Sequence, residues 1–307
     1  MSVLVVGSVA YDVIETPLAK TEKALGGSAV FFSAAAGYLS PVNLVGVVGS
    51  DFDLQELDFL RRNYVDLSGL KVEAGETFTW SGRYLDNLMD RETIFTKLGV
   101  FESFKPELPD SFLDSEFVFL ANIQPTLQYD VVRRVKQPRF VAMDTMNYWI
   151  TGTPTELKRT LSVVDALLVN DSEVRLLSGE RNLFLGAKKI QAMGPRVVIV
   201  KKGEHGSILI DRNRYFVCPA LPVTNLFDPT GAGDTFAGGF MGYLAQTGSL
   251  DHANLRRAVV MGTVMASFCV ESFSIDRLKG LTPDDIRRRS SELLQLMQIE
   301  GDGKWIG

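Results

Sequence analysis

Asp228-Pro-Thr-Gly-Ala-Gly-Asp-Thr-Phe-Ala-Gly-Gly-Phe240 sets three small residues directly before an acid, then opens into an amphipathic helical pattern through Phe236, Phe240, Tyr243 and Leu244. With so little side chain in the way, the backbone N–H groups of Gly231, Ala232 and Gly233 can turn towards one point. A following helix adds its unpaired N-terminal N–H groups and the positive end of its dipole, which together make an anion cradle. Asp234 stands at the mouth of that cradle, where it can take a proton from a hydroxyl about to attack phosphorus. A glycine-rich turn before a helix is also ordinary capping punctuation, and Asp is a good N-cap. For a bare Gly-x-Gly-Asp that plainer account would stand. The full run favours cradle plus base, the minimum equipment for phosphoryl transfer to an alcohol.

Outward from this run, short apolar stretches alternate with helix-length segments. Val3–Val6, Val42–Val48, Phe117–Ala121, Phe140–Met143, Ala166–Val169 and Val197–Val200 read as buried parallel strands. Ser28–Leu39, Phe236–Gln246, Asn254–Phe268 and Pro283–Met297 read as helices, and Ser207–Ile210 with Arg214–Val217 as a hairpin. Between Glu73 and Phe101 the texture changes to alternation, with Phe78, Trp80, Gly82 and Tyr84 followed by Thr93, Phe95 and Lys97. That pattern predicts paired antiparallel strands. The expected architecture is an α/β fold with a mostly parallel central sheet, helices on both faces, and a small antiparallel flap from residues 14–25 and 73–97 over one edge. In open α/β sheets ligands bind beyond the carboxyl ends of the strands.

Composition narrows the partners. The chain has 307 residues, 46% of them hydrophobic, enough for a substantial core, and its formal net charge of −5 argues against nucleic acid. No run of eighteen apolar residues predicts a membrane span. Val3–Gly7 is an apolar strand with no basic region or cleavage site before it, so no signal peptide is expected. Cys218 and Cys269 share no metal-ligand or redox spacing. Buried, reduced thiols in a cytoplasmic protein are the simplest account.

Several motifs follow strands. Asp12 can accept hydrogen bonds from two neighbouring substrate hydroxyls, or form an Asx-turn or cap. Gly26 and Gly27 permit close approach of a ligand to backbone, and the helix they open can donate N–H groups, or they are a hinge. Asn122, Asp144 and Asn147 are turn formers or pocket residues. Asn170 and Glu173 have the spacing of an ordinary capping arrangement. Lys201 and Lys202 open a turn bracketed by Gly203 and Gly206, suited to neutralising phosphate or simply solvated. Neither Gly-x-Gly-x-x-Gly nor Gly-x-x-x-x-Gly-Lys-Ser/Thr occurs, which argues against a dinucleotide oxidoreductase and an ordinary P-loop enzyme.

The Asp228–Phe240 run resembles the second signature of the PfkB/ribokinase family of carbohydrate kinases, and motifs upstream match in family order, so the likeness covers nearly the whole chain. It implies a ribokinase-like three-layer α/β/α sandwich, a single kinase domain over residues 1–307 with the flap as its lid, and ATP with Mg²⁺ as cofactors. The activity implied is ATP-dependent phosphorylation of a hydroxyl on a small sugar or polyol, with an inositol or nucleoside as the alternative acceptor. On this likeness Asp234 is the catalytic base, and the amides of Gly231, Ala232 and Gly233 form the anion hole. Asp12, Gly26 and Gly27 bind the acceptor. The family's Gly-Gly segment usually continues to an Asn four residues after the second Gly; this chain has Phe31 there, followed by Phe32, which implies a different or more apolar acceptor face.

Asn170-Asp-Ser-Glu173 matches the family's Asn-x-x-Glu, which implies that Glu173 organises waters around Mg²⁺ and that Asn170 lies near the nucleotide phosphates. Val197–Gly206 resembles the ATP-contacting loop, with Lys201, Gly203 and Gly206 as its contacts, and places adenine between that loop and the Asn254–Met265 helix. Asp228 and Thr230 lie where many relatives bind a monovalent cation. The later segment completing that site normally contains a Gly, and Met265–Ser274 has none, which counts against K⁺. Trp80 and Tyr84 become lid residues near the acceptor, as Asn122 does at its strand end, and in some members the lid also forms a homodimer interface. A non-catalytic sugar- or nucleotide-binding protein is the remaining alternative, against which the intact Asp234 and Asn-x-x-Glu both speak.

Overall fold

The computed structural model describes residues 1–298 except Asn87 and Met89. The last residues of the expected 1–307 unit, and those two positions of the expected lid, lie outside the described residues. The strands are β1 (Val3–Val6), β2 (Ala10–Glu15), β3 (Lys20–Gly26), β4 (Val42–Gly49), β5 (Val65–Glu73), β6 (Thr79–Tyr84), β7 (Arg91–Lys97), β8 (Phe117–Leu120), β9 (Phe140–Asp144), β10 (Ala166–Asn170), β11 (Val197–Lys201), β12 (Ser207–Asp211) and β13 (Arg214–Cys218). One sheet has the order β13-β12-β11-β10-β9-β8-β1-β4-β5. From β11 to β5 every neighbouring pair is parallel. The β12–β13 hairpin closes one edge antiparallel.

Why these runs form a parallel sheet is visible in their burial. Every residue of β1 and β8 is buried, as are the first four of β10 and β11. Side chains alternate across a strand, so β1 sends Val3 and Val5 to one face and Leu4 and Val6 to the other. The first face is covered by helices Ser28–Ala36, Ala232–Thr247, His252–Cys269 and Pro283–Leu296. The second is covered by helices Pro125–Arg134, Pro154–Leu161, Asp171–Ser178 and Leu183–Gln191. This is the three-layer α/β/α arrangement the sequence predicts. Each fully buried Val, Leu or Ile contributes about 1.5–3 kcal/mol of transfer free energy. Such a core fixes the strand ends in place, and with them the residues that follow.

The second sheet has four strands in the order β3-β2-β6-β7. Its outer pairings are antiparallel, as the alternation predicts, but the central β2–β6 pairing is parallel. One strand and one boundary differ from expectation. β5 is not among the expected strands, yet it pairs with β4 as far as Gly49 and Glu73, and the chain leaves the large sheet at the expected start of the flap. β2 begins at Ala10 and takes in Asp12, which lies within a strand of the small sheet rather than in a loop. Among the described residues, no helix is long and apolar enough to cross a membrane.

Candidate active site

Gly231 takes a left-handed conformation (φ 75°) and caps helix Ala232–Thr247. Few side chains tolerate that conformation, and here none would fit: a Cβ would meet the Phe31 ring at 2.3 Å. The amides of Gly231 and Gly233 have no backbone acceptor among the described residues, whereas Ala232 N donates to Pro229 O at 3.2 Å. The three-amide cradle expected from the sequence is therefore two open amides and one held by its own turn. Asp234 stands in the first turn of the helix. Burial, then the charge of Asp144, pushes its carboxyl up to about 7, while Lys201 and Arg91 pull the other way.

The ends of β9, β10 and β11 bring three more groups to this turn. Lys201 Nζ lies 3.3 Å from Asp144 Oδ2 and beside Gly233, where a Cβ would approach it to 3.0 Å. Burial opposes the ammonium charge of Lys201, but Asp144, Glu173 and Asp234 outweigh it and raise its pKa. Lys202, in contrast, is held in the hairpin turn by its amide donating to Gly206 O at 2.8 Å. Gly203 (φ 55°) and Gly206 (φ 84°) shape that turn. Asn170 and Glu173 form a reciprocal capping box: Glu173 N donates to Asn170 Oδ1 and Asn170 N to Glu173 Oε2, each at 2.8 Å. Burial and Asp144 raise the Glu173 carboxyl to about 7.

On the other side of the turn, Asp12 is 5% exposed and has no hydrogen-bond donor among the described residues. Burial, then Asp228 and Asp234, raises it to about 8, with Arg91 opposing. Its carboxylate lies over Gly26, where a Cβ would meet Oδ2 at 2.1 Å. Gly27 (φ 98°) caps helix Ser28–Ala36. The first amides of that helix, expected to face a ligand, are already satisfied: Ser28 N donates to Ser8 Oγ and Ala29 N to Ser8 O, each at 3.0 Å. Phe31, 2% exposed, packs in the core behind Gly231, so it supports the anion turn instead of forming a wall that an acceptor touches. Asn122 is also engaged: its Oδ1 accepts from Trp149 Nε1 at 3.0 Å, and its Nδ2 faces Met146 Sδ at 3.1 Å. That ties it to helix Asn147–Gly152, on which Asn147 itself is exposed.

The small sheet closes over these groups. Trp80 pairs in register with Asp12 and lies against Gly82, and its Nε1 donates to Thr93 Oγ1 at 3.3 Å. Tyr84 is buried, and its hydroxyl lies 3.0 Å from Thr230 Oγ1. Thr230 N in turn donates to Asp228 Oδ1 at 2.9 Å. Asp228 Oδ2 is buried with no partner, and burial raises that carboxyl. A protonated acid or a neighbouring monovalent cation would each satisfy it. Among the described residues no three acidic, His or Cys side chains gather closely enough to hold a metal alone. Asp144, read from the sequence as a turn former or pocket residue, lies in the pocket beside Lys201. Arg91 is the residue that the sequence reading misses, although it continues the alternation back from Thr93.

Comparison with known proteins gives the same fold and family. Residues 1–277 match the model of the pfkB family carbohydrate kinase. The chain is 28% identical over 253 residues to a cytidine kinase of Thermococcus kodakarensis, covering 78% of this chain and 87% of that protein. It is 26% identical over 284 residues to a nucleoside kinase of Methanothermobacter thermautotrophicus, covering 87% and 89%. The crystal structure of the Methanocaldococcus jannaschii nucleoside kinase superimposes with a TM-score of 0.76 at 21% identity, over 95% of this chain and 98% of that one.

Proposed function

The chain belongs to the pfkB family of carbohydrate kinases, and we propose that it transfers the terminal phosphoryl group of ATP to a hydroxyl of a small sugar, polyol or nucleoside, with Asp234 as general base. The observation that carries this reading is the joint placement of Asp234 and the Gly231 turn. A carboxyl raised to about 7 stands one residue from an amide with no backbone acceptor. A base of that pKa is matched to work near neutral pH. Asp12, buried and without a donor, is suited to accept hydrogen bonds from the acceptor's hydroxyls.

In the step proposed, Asp234 takes the hydroxyl proton as the oxygen attacks phosphorus, and the bond from phosphorus to the oxygen of the departing ADP breaks in line. The open amides of Gly231 and Gly233 and the Lys201 ammonium face the charge that develops on the transferred group. Asn170, Gly203 and Gly206 lie towards the nucleotide. Kinases of this family use ATP, typically with Mg²⁺. Glu173 and Asp144 are the residues to hold that ion, through water, and when bound it supplies charge neutralisation at the phosphoryl oxygens. Closing the small sheet over the site excludes water from the reacting group.

Within this class a nucleoside acceptor is supported by two observations. The Trp80 ring stands in register with Asp12 on the small sheet, and the cytidine and nucleoside kinases above are among the relatives. The test is ADP release with Mg-ATP against sugars, polyols, inositols and nucleosides, with Asp234→Asn as the blank. One acceptor giving ADP release that requires Asp234 is expected. Equal ADP release from wild type and Asp234→Asn would remove the base assignment.

A further inference from the structure

We infer that Gln128, a buried glutamine in the first turn of helix Pro125–Arg134, is a positioning residue of the reaction: it fixes the peptide group that holds the Asp144 carboxylate towards Lys201. The inference rests on the kinase reading above and adds to it a residue that touches neither nucleotide nor acceptor.

Helix Pro125–Arg134 follows the carboxyl end of β8 and packs back on the sheet. Side chains tilt towards the N-terminus of their helix, so a long residue in the first turn reaches back to the strand end. Gln128 Nε2 lies 3.2 Å from Leu120 O, 2.9 Å from Ala121 O and 3.0 Å from Asp144 O. The pairing of β8 with β9 ends at Leu120 and Met143, so this one amide ties the two strands just past their last pair. Two hydrogens serve three carbonyls. Oε1, in contrast, is buried with no partner among the described residues. Turned over, the amide would set Oε1 against all three carbonyl oxygens, which fixes its orientation. A buried acceptor left unsatisfied costs stability, so it is the donors of Gln128 that the position uses.

The third of these carbonyls leads to the site. Asp144 O and Thr145 N belong to one planar peptide group. Gln128 grips its oxygen, while its N–H donates to Asp144 Oδ1 at 2.7 Å. The other carboxylate oxygen, Oδ2, faces Lys201 Nζ at 3.3 Å. One chain of contacts thus runs from a helix of the outer layer, through this peptide and the carboxylate, to the ammonium beside Gly233. A tilt of the peptide would swing the N–H away from Oδ1 and free the carboxylate to turn. A second glutamine does the same work elsewhere. Gln191 Nε2 donates to Arg196 O at 2.7 Å and to Ile210 O at 3.4 Å. Arg196 precedes β11, so that amide ties strands at the amino end of β11, whereas Lys201 stands at its carboxyl end.

The experiment compares Gln128→Met, which keeps the length of the side chain and removes both donors, with Gln191→Met, each in the full chain and each followed by thermal melting. Steady-state transfer gives kcat and the acceptor KM. Calorimetric titration with ADP over a range of Mg²⁺ concentrations reads the ion's midpoint without turnover. Both variants should melt below wild type. Only Gln128→Met should lose kcat, by about 10- to 100-fold with the acceptor KM unchanged, and need about tenfold more Mg²⁺ to bind ADP. A folded Gln128→Met with the kcat and Mg²⁺ midpoint of wild type overturns the inference. So does an equal loss of kcat in both variants, which would be a loosening of the whole sheet, and so does a rise in acceptor KM alone. Should Gln128→Met not fold, Gln128→Asn, which keeps the amide but shortens its reach, is held to the same outcomes. If wild type neither binds ADP nor transfers phosphate to any acceptor, the kinase reading fails. Crystal structures of wild type and Gln128→Met then judge Gln128 by the separation of Asp144 from Lys201: a longer one in the variant upholds the positioning role, and an unchanged one removes it.

Discussion

The ring of Phe31 lies directly against the backbone of Gly231: a Cβ added to Gly231 would meet Phe31 Cδ1 and Cγ at 2.3 Å. A residue of the core thus holds the turn whose amides face the anion. If Phe31 acts by support, Phe31→Leu should lower kcat more than it raises the acceptor KM. The opposite split would restore Phe31 to the acceptor wall. Phe31→Ala should cost about 3–5 kcal/mol in denaturant unfolding, as for other buried Phe truncations. Gly231→Ala, strained at φ 75° and blocked by the ring, should abolish transfer even where the protein folds.

Gly26→Ala should act on the acceptor alone. The backbone there is an ordinary strand, so alanine is not strained, but its Cβ would displace the Asp12 carboxylate, 2.1 Å away. Losing one hydrogen bond to a carboxyl that is largely neutral near pH 7 is worth about 0.5–1.5 kcal/mol, or roughly a 2- to 13-fold rise in acceptor KM. Affinity for ADP should not change. A weakened ADP affinity would show instead that this strand end belongs to the nucleotide side.

Tyr84→Phe keeps the ring and removes the hydroxyl that reaches Thr230 at 3.0 Å. One hydrogen bond of this kind contributes about 1 kcal/mol, so transfer should fall about fivefold. ATP hydrolysis per phosphate transferred should rise, because the lid closes less often over the site. Combined with Thr230→Val in a double-mutant cycle, the coupling should be about 1 kcal/mol. Additive effects would show that the contact does not matter in solution.

Two pH dependences follow from the raised carboxyls. Asp234 must be ionised to act as a base, and it titrates at about 7, so kcat/KM should rise with pH through that value and level off above it. Stability runs the other way. Asp12, Glu173 and Asp234 hold protons more tightly folded than unfolded, so their stabilising contribution is complete below about pH 4 and is lost as pH rises through about 7 to 8. The melting temperature of the ligand-free protein should decline between pH 5 and 8. Asp12→Asn should flatten that decline, and an unchanged slope would mean that Asp12 is not the buried titrating group.

The sequence discloses most of the frame and about half of the site. The parallel strands are legible because both faces of each are buried, which writes a continuous apolar run. The Gly231–Asp234 turn is legible because its glycines are local requirements, met within a few residues. The Asp144–Lys201 pair is not legible: the partners stand 57 residues apart and meet only because β9, β10 and β11 lie side by side. Asn122 shows the reverse case. Its position at a strand end is readable, but the capture of its amide by Trp149 and Met146 depends on where a separate helix packs. The parallel β2–β6 pairing was hidden for a related reason, since alternation marks the faces of a strand but not the direction of its neighbour.

The capping box at Asn170 gives the two oxygens of Glu173 separate employment. Oε2 accepts the Asn170 amide and so helps start helix Asp171–Ser178, leaving Oε1 with no donor among the described residues. Glutamine in this position can still accept with its carbonyl oxygen while turning an amide towards the site. Alanine loses both ends at once. Studies of this residue that use only alanine would therefore merge a helix defect with a lost ligand, and Glu173→Gln is the variant that separates architecture from chemistry.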